Sequence, residues 1–190
     1  MRHSAQLLAG IALLAGCSGE PITTETTANF QMRASESQVF GTDVNKDLAR
    51  LRQVTAAFHQ FDNGFHAGWS TQITPCMTDP GGAGGMGFHY GKTDLINGTA
   101  SVETPQLLLY EPEKNGRLRL VAVEYIIPYS FHSRDAAPPE LLHQKFAQVD
   151  AFGLWGLHAW VWKENPSGMF AAWNPTVNCD NTTAVASMSH

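Results

Sequence analysis

The chain has 190 residues, 43% of them hydrophobic and 15% charged, with a formal net charge of −5 and eight histidines. Its mild acidity and the lack of a basic patch argue against nucleic acid as a partner. Its length suits one domain, with short segments to spare at both ends.

Residues 1–16 run from a basic start (Met1-Arg2-His3) through a short apolar stretch to Ala15-Gly16. This is the layout of a secretory signal. The apolar stretch falls short of the roughly 20 residues needed to cross a bilayer. Leu14-Ala15-Gly16-Cys17 resembles the bacterial lipobox, in which the cysteine is diacylated and becomes the new N-terminus. The alternative is ordinary signal-peptidase cleavage nearby and a soluble secreted protein. Ser18 is not Asp, which by resemblance to Gram-negative lipoproteins permits transfer to the outer membrane, facing the periplasm. Loss of residues 1–16 removes only Arg2, so Lys and Arg fall from 12 to 11 against 17 Asp and Glu, a net of −6. With no second apolar span, the lipid on Cys17 is the one membrane contact expected.

Residues 17–42 hold the anchor and a tether rich in Thr, Ser, Glu and Ala, too poor in large apolar residues to offset ordering entropy. Residues 180–190 form a similarly polar tail, expected to be disordered. A single globular domain is therefore expected over residues 43–179. In an oxidising compartment the remaining pair, Cys76 and Cys179, is most simply a disulfide. Two thiolate metal ligands are the alternative, but the pair lacks the close spacing of a zinc Cys-x-x-Cys.

Leu48, Leu51, Val54 or Thr55, Phe58, Phe61 and Phe65 recur at three- and four-residue steps and predict a helix over 43–63. Thr42 or Asp43 is expected to cap it and Gly64 to end it. His59 lies on this helix. His66 shares its face only if the helix continues past Gly64. A first strand is expected at 69–73. The glycine-rich stretch 79–87 opens no helix and carries no Lys-Ser/Thr pair, so it reads as a loop rather than a phosphate cradle. A strand at 88–90 follows. Strands at 107–111 and 117–127, joined by Pro112-Glu-Lys-Asn-Gly116, read as a hairpin. Residues 138–149 show helical spacing at Leu141, Leu142, Phe146 and Val149. A last strand is expected at 152–162, then a turn at 165–168 and one helical turn at 169–173. One long helix followed by antiparallel strands predicts an α+β fold: an N-terminal helix packed on a curved antiparallel sheet, in the manner of cystatin or NTF2-like folds. A small cupin-like β-barrel is the alternative.

Three ionisable residues stand inside apolar, strand-like runs: His89 in Gly-Met-Gly-Phe-His-Tyr, Glu124 in Leu-Val-Ala-Val-Glu-Tyr and His158 in Leu-Trp-Gly-Leu-His-Ala-Trp. Such groups cost stability unless paired, hydrogen-bonded or bound to a metal. Strict alternation over the strand puts Glu124 with Leu118, Leu120, Ala122 and Ile126, and His158 with Leu154, Gly156, Trp160 and Trp162. Converging on one point, joined by His59 from the helix, the set is a metal site for Zn, Fe, Mn, Cu or Ni with positions left open. One alternative is a structural network in which Glu124 only satisfies a histidine. Another is a non-enzymatic pocket for a small molecule, walled by Trp155, Trp160, Trp162, Phe170 and Trp173. No nucleophile elbow is present, but a metal held by this set could activate water or oxygen.

Gly-Met-Gly-Phe-His89-Tyr, Leu108-Leu-Tyr-Glu-Pro112, Val123-Glu-Tyr125 and Leu157-His-Ala-Trp-Val-Trp-Lys-Glu-Asn-Pro-Ser-Gly-Met-Phe170 together resemble a widespread family of uncharacterised exported bacterial proteins. The likeness covers roughly residues 48–179, and His59 fits its pattern. It implies export and a shared scaffold, and no reaction.

Overall fold

A computed structural model describes residues 41–182. Residues 1–40, which hold the expected signal, Cys17 and most of the expected tether, and residues 183–190 of the expected tail lie outside the described residues.

Helix α1, Thr42–Thr55, buries Leu48, Leu51 and Thr55 of the expected stripe, and Val44 one turn before it. Gly41 is its N-cap and makes no side-chain cap, so the capping expected of Thr42 or Asp43 is replaced by Asp43 in the first turn, where the helix dipole favours an acid. The helix then tightens into a 3₁₀ turn, Ala56–His59, breaks at the extended Gln60, and resumes as α2, Phe61–His66. One continuous helix to residue 63 is thus three pieces. The break lets two aromatics turn toward the sheet: Phe58 packs on Trp69 at 4.8 Å between ring centroids and Phe61 on Tyr110 at 5.2 Å. Gly64 does not end the helix. It is buried within α2, where a Cβ would sit 2.8 Å from the Tyr110 hydroxyl. The stop comes at Gly68, with φ +107°.

The strands are β1 (Thr71–Thr78), β2 (Gly85–Gly91), β3 (Leu107–Pro112), β4 (Leu118–Pro128), β5 (Glu140–Leu141), β6 (Gln144–Lys145), β7 (Ala147–Val149) and β8 (Leu154–Ala159). Six of them form one antiparallel sheet in the order β1-β2-β3-β4-β8-β7, strongly curled into a half-barrel, with the N-terminal helix against it. The fold is α+β with a curved sheet, as expected. The sheet does not close, since β1 and β7 remain its edges.

Residues 138–149 are not a helix. Pro138-Pro139 lead into a β5–β6 hairpin and then β7. The hairpin turn is Leu142-His143, both left-handed, with φ +54° and +56°. Two-residue hairpin turns demand this conformation and normally take Asn-Gly. Here Leu142 is 3% exposed and joins Phe146 in the core, so burial offsets the backbone strain. His143 is exposed and has no such compensation. His143→Gly should therefore raise stability by about 0.5–1 kcal/mol in urea unfolding, left-handed strain relieved minus chain entropy lost. A variant less stable than the parent would refute that account.

The sheet has two covered faces. On the helix face Val44, Leu48 and Leu51 pack with Leu108, Tyr110, Leu120, Val123, Tyr125 and Leu157. On the far face Leu107, Leu109, Val121, Ala122, Ile126, Trp160 and Val177 form a second cluster. Strict alternation along β4 fails at one point. Leu109 pairs with Ala122 but Tyr110 pairs with Leu120, so Val121 is a bulge. Leu118 and Leu120 thereby swing to the helix face while Ala122, Glu124 and Ile126 keep the far one.

A C-terminal strap closes the far face. Asn174 bridges Gly85, and Lys163 Nζ lies 2.6 Å from Glu111 Oε2 on β3. Asn165 and Asn174 each open an Asx turn, accepting from Ser167 N and Thr176 N, and each donates across the strap, to Trp173 O and Glu164 O. The residues expected to make a helical turn at 169–173 are irregular here. Cys76 and Cys179 are joined by a disulfide with Cα atoms 5.8 Å apart, which staples β1 to the strap. Asn181 donates to Pro112 O, so the chain stays hydrogen-bonded just past this bond.

Candidate metal centre

His89, Glu124 and His158 all stand on the far face, each for a local reason. On β2 the neighbours Phe88 and Tyr90 alternate with His89, and Tyr90 packs on Tyr110 on the helix side. On β4 and β8, Glu124 and His158 are register partners. His89 is two strands away from β4 and one row over, opposite Leu109, which is opposite Ala122. Small residues make the space. Ala122 presents only a methyl in that row. A Cβ on Gly156 would lie 3.0 Å from Glu124 Oε1, so a side chain there would crowd the carboxyl.

The three residues are 3–7% exposed and offer one ligand atom each within 4.8 Å of one another. Glu124 Oε2 is 3.4 Å from His89 Nε2 and 3.8 Å from His158 Nε2. The imidazoles lie edge to face, with centroids 6.2 Å apart, and Trp160 runs nearly parallel to His158. His89 Nδ1 is 2.8 Å from the Thr74 hydroxyl. His158 Nε2 is buried and, among the described residues, has no hydrogen-bond partner. A buried, unsatisfied polar nitrogen is costly.

Burial also dominates the protonation of the site. It raises the Glu124 carboxyl to about 8. It lowers His89 to about 4, against a backbone hydrogen bond with Gly87 that acts the other way. His158 falls to about 3, from burial first and then from His89. The metal-free site at neutral pH is therefore a carboxylic acid between two neutral imidazoles. A divalent ion reverses that preference by stabilising the carboxylate, and neutral imidazole is already its ligand form. Around one ion, ligand bonds near 2.1 Å place donor atoms roughly 3.0–3.4 Å apart. Glu124 and His89 already meet this spacing, and His158 Nε2, at 3.8 Å from the same oxygen, would have to move closer to join them. The three residues can hold a metal ion.

His59 is not part of this group. Its ring lies edge-on to Trp162 at 4.3 Å, and burial and the charge of Arg119 both lower its pKa. The physical reason is the sheet. The 3₁₀ turn that carries His59 packs on the helix face, where Tyr110 Oη donates to Phe58 O, and β3 and β4 stand between it and the trio. His66, at the end of α2, packs edge-on against Phe65 and is likewise outside.

Trp155, Trp160 and Trp162 pack in the two core clusters, and Trp173 stands outside them. Trp155 and Trp160 are each 2% exposed, and their indole N–H groups donate to His132 O and Ala171 O. Trp162 donates to Thr55 Oγ1. One site residue was not foreseen. Thr74 lies beyond the expected end of the first strand at Ile73, and only the longer β1 and its register with His89 bring it to the imidazole.

Fold and site together define an α+β domain with a buried His–Glu–His group on the far face of a curled sheet. No protein-family model, no curated protein and no solved structure matches the chain.

Proposed function

We propose that this is an exported, lipid-anchored envelope protein that binds one transition-metal ion through His89, Glu124 and His158. The observation that carries the reading is His158 Nε2, buried without a partner among the described residues and turned toward the same carboxylate oxygen as His89 Nε2. Two imidazoles and one carboxylate are a ligand set that Zn, Fe, Mn, Cu and Ni all accept, and it leaves coordination positions for water or a small ligand. Export draws its support from the signal-like N-terminus, the lipobox-like Leu14-Ala-Gly-Cys17, and a disulfide that suits an oxidising compartment. The resemblance to exported bacterial proteins points the same way, with Ser18 favouring the outer membrane.

Elemental analysis of purified protein after loading and desalting tests the binding. The parent should retain close to one equivalent of a transition metal and His158→Ala close to none. Equal occupancy in the two, whether high or near zero, rejects the site. Trimming His158 to Ala removes a buried ring and costs stability too, so folding of the variant is checked by circular dichroism. Metabolic labelling with a radiolabelled fatty acid, with Cys17→Ala as the control, tests the anchor separately.

A further inference from the structure

We infer that Thr74 is a positioning residue of this site: its hydroxyl accepts a hydrogen bond from His89 Nδ1–H and so presents the bare Nε2 to Glu124 and His158. The inference rests on the metal-binding reading for its consequence but not for its test.

A neutral imidazole carries one N–H, and whichever nitrogen holds it cannot bind a metal. The partners of the ring fix which nitrogen that is: the Thr74 hydroxyl at Nδ1, and the Gly87 backbone, which also hydrogen-bonds the imidazole. Nδ1 of His89 lies 2.8 Å from Thr74 Oγ1, hydrogen-bond distance, while Nε2 faces Glu124 Oε2 at 3.4 Å and the ring of His158 beyond it. With its proton on Nε2 the ring would aim that N–H into the shared centre and fill the ligand position. With its proton on Nδ1 the hydroxyl accepts it, and Nε2 keeps its lone pair for the centre. Histidine ligands commonly donate their second nitrogen in this way, and loss of that acceptor typically costs 10–100-fold in metal affinity.

The sheet is built to hold the hydroxyl in place. Thr74 is the direct register partner of His89, although β1 slips register on both sides of this pair. β1 is an edge strand, paired on one side only. Two residues further on, the Cys76–Cys179 disulfide ties this edge to the C-terminal strap. The bond therefore limits how far Thr74 can drift from the imidazole.

Two variants isolate the hydroxyl. Thr74→Val keeps shape and strand preference but has no oxygen, while Thr74→Ser restores the oxygen on a smaller side chain. The first readout is the imidazole ¹⁵N spectrum of the full-length, metal-free protein. Parent and Thr74→Ser should show His89 protonated at Nδ1, and Thr74→Val should show a shift toward the Nε2–H tautomer. The second readout is titration with cobalt(II). Affinity should fall 10–100-fold in Thr74→Val and recover to within about threefold of the parent in Thr74→Ser. An unchanged His89 tautomer in Thr74→Val overturns the inference, whatever cobalt does. Failure of the parent to bind cobalt or any other transition metal counts against the metal reading alone and leaves the tautomer result to decide the role of Thr74.

Discussion

Stripped of metal, the protein should be most stable near pH 6.5 and should lose stability on both sides for opposite reasons. Burial lowers His89 from its ordinary 6.5 to about 4 and His158 to about 3. A depressed histidine contributes stability above its unfolded value and loses it as pH falls below 6.5 toward the folded one. Glu124 is raised from 4.5 to about 8. A raised carboxyl contributes stability below its unfolded value, and this declines as pH climbs from 4.5 to the folded value. Each group changes stability by about 1.4 kcal/mol per pH unit in its window. From pH 4.5 to 6.5 the two histidines outweigh the one glutamate, so stability rises. From 6.5 to 8 Glu124 acts alone, and stability should fall by about 2 kcal/mol, roughly 6–8 °C in melting temperature for a domain of this size.

Two additions make this result specific. Glu124→Gln cannot ionise, so the stripped variant should not decline between pH 6.5 and 8. Metal binds only the deprotonated carboxyl, so the gap between loaded and stripped melting temperatures should widen with pH in the parent and vanish in Glu124→Gln. A purely structural Glu–His network predicts the reverse, a less stable glutamine variant at every pH. Thermal melts in a pH series of parent and variant, with and without metal, separate the two. A stripped parent that keeps gaining stability up to pH 8 would sink this account of the site.

The second large effect belongs to the disulfide. Cys76 and Cys179 are 103 residues apart in sequence, and closing a loop of this size is worth up to about 4.7 kcal/mol in the chain-entropy model. Cys76→Ser/Cys179→Ser, or reduction, should lower the urea midpoint by an amount equivalent to about 3–5 kcal/mol. The loss should not be uniform. Backbone amides of β1 and of the strap at 174–179 should exchange faster, because one is an edge strand and the other meets the sheet at an isolated Gly85–Asn174 bridge outside the strand ladders. Amides of β3 and β4, in the middle of the sheet, should change with global stability only. Hydrogen exchange that rises equally across all strands would show that the bond stabilises the whole domain and does not staple its edge.

Much of the frame was legible in the residues. The apolar stripe at Leu48, Leu51 and Val54 or Thr55 predicts α1 because a helix repeats every 3.6 residues whatever it packs on. The hairpin of β3 and β4 follows from two apolar runs around Asn115-Gly116. The hairpin at 140–145 was hidden because Leu141, Leu142, Phe146 and Val149 satisfy a helical period equally well. Its turn uses Leu-His instead of Asn-Gly, and only the core that receives Leu142 makes that tolerable. The break at Gln60 was hidden in the same way, since Phe58, Phe61 and Phe65 continue the helical period across it.

Read alone, the residues point to three buried ionisable side chains, because His89, Glu124 and His158 lie in apolar, strand-like runs. The cysteine count makes a Cys76–Cys179 bond the simpler of two readings, and the structure shows that bond. Only the tertiary structure decided which of the candidate ligands meet. A strand's period says which residues share its face, not which face the helix covers, and the helix took the face opposite the trio and carried His59 with it. Register, set by pairing across β2, β3, β4 and β8, placed Glu124 beside His158 and one row from His89. The edge-strand pairing of Thr74 with His89 gave the imidazole a partner that no local pattern could foretell.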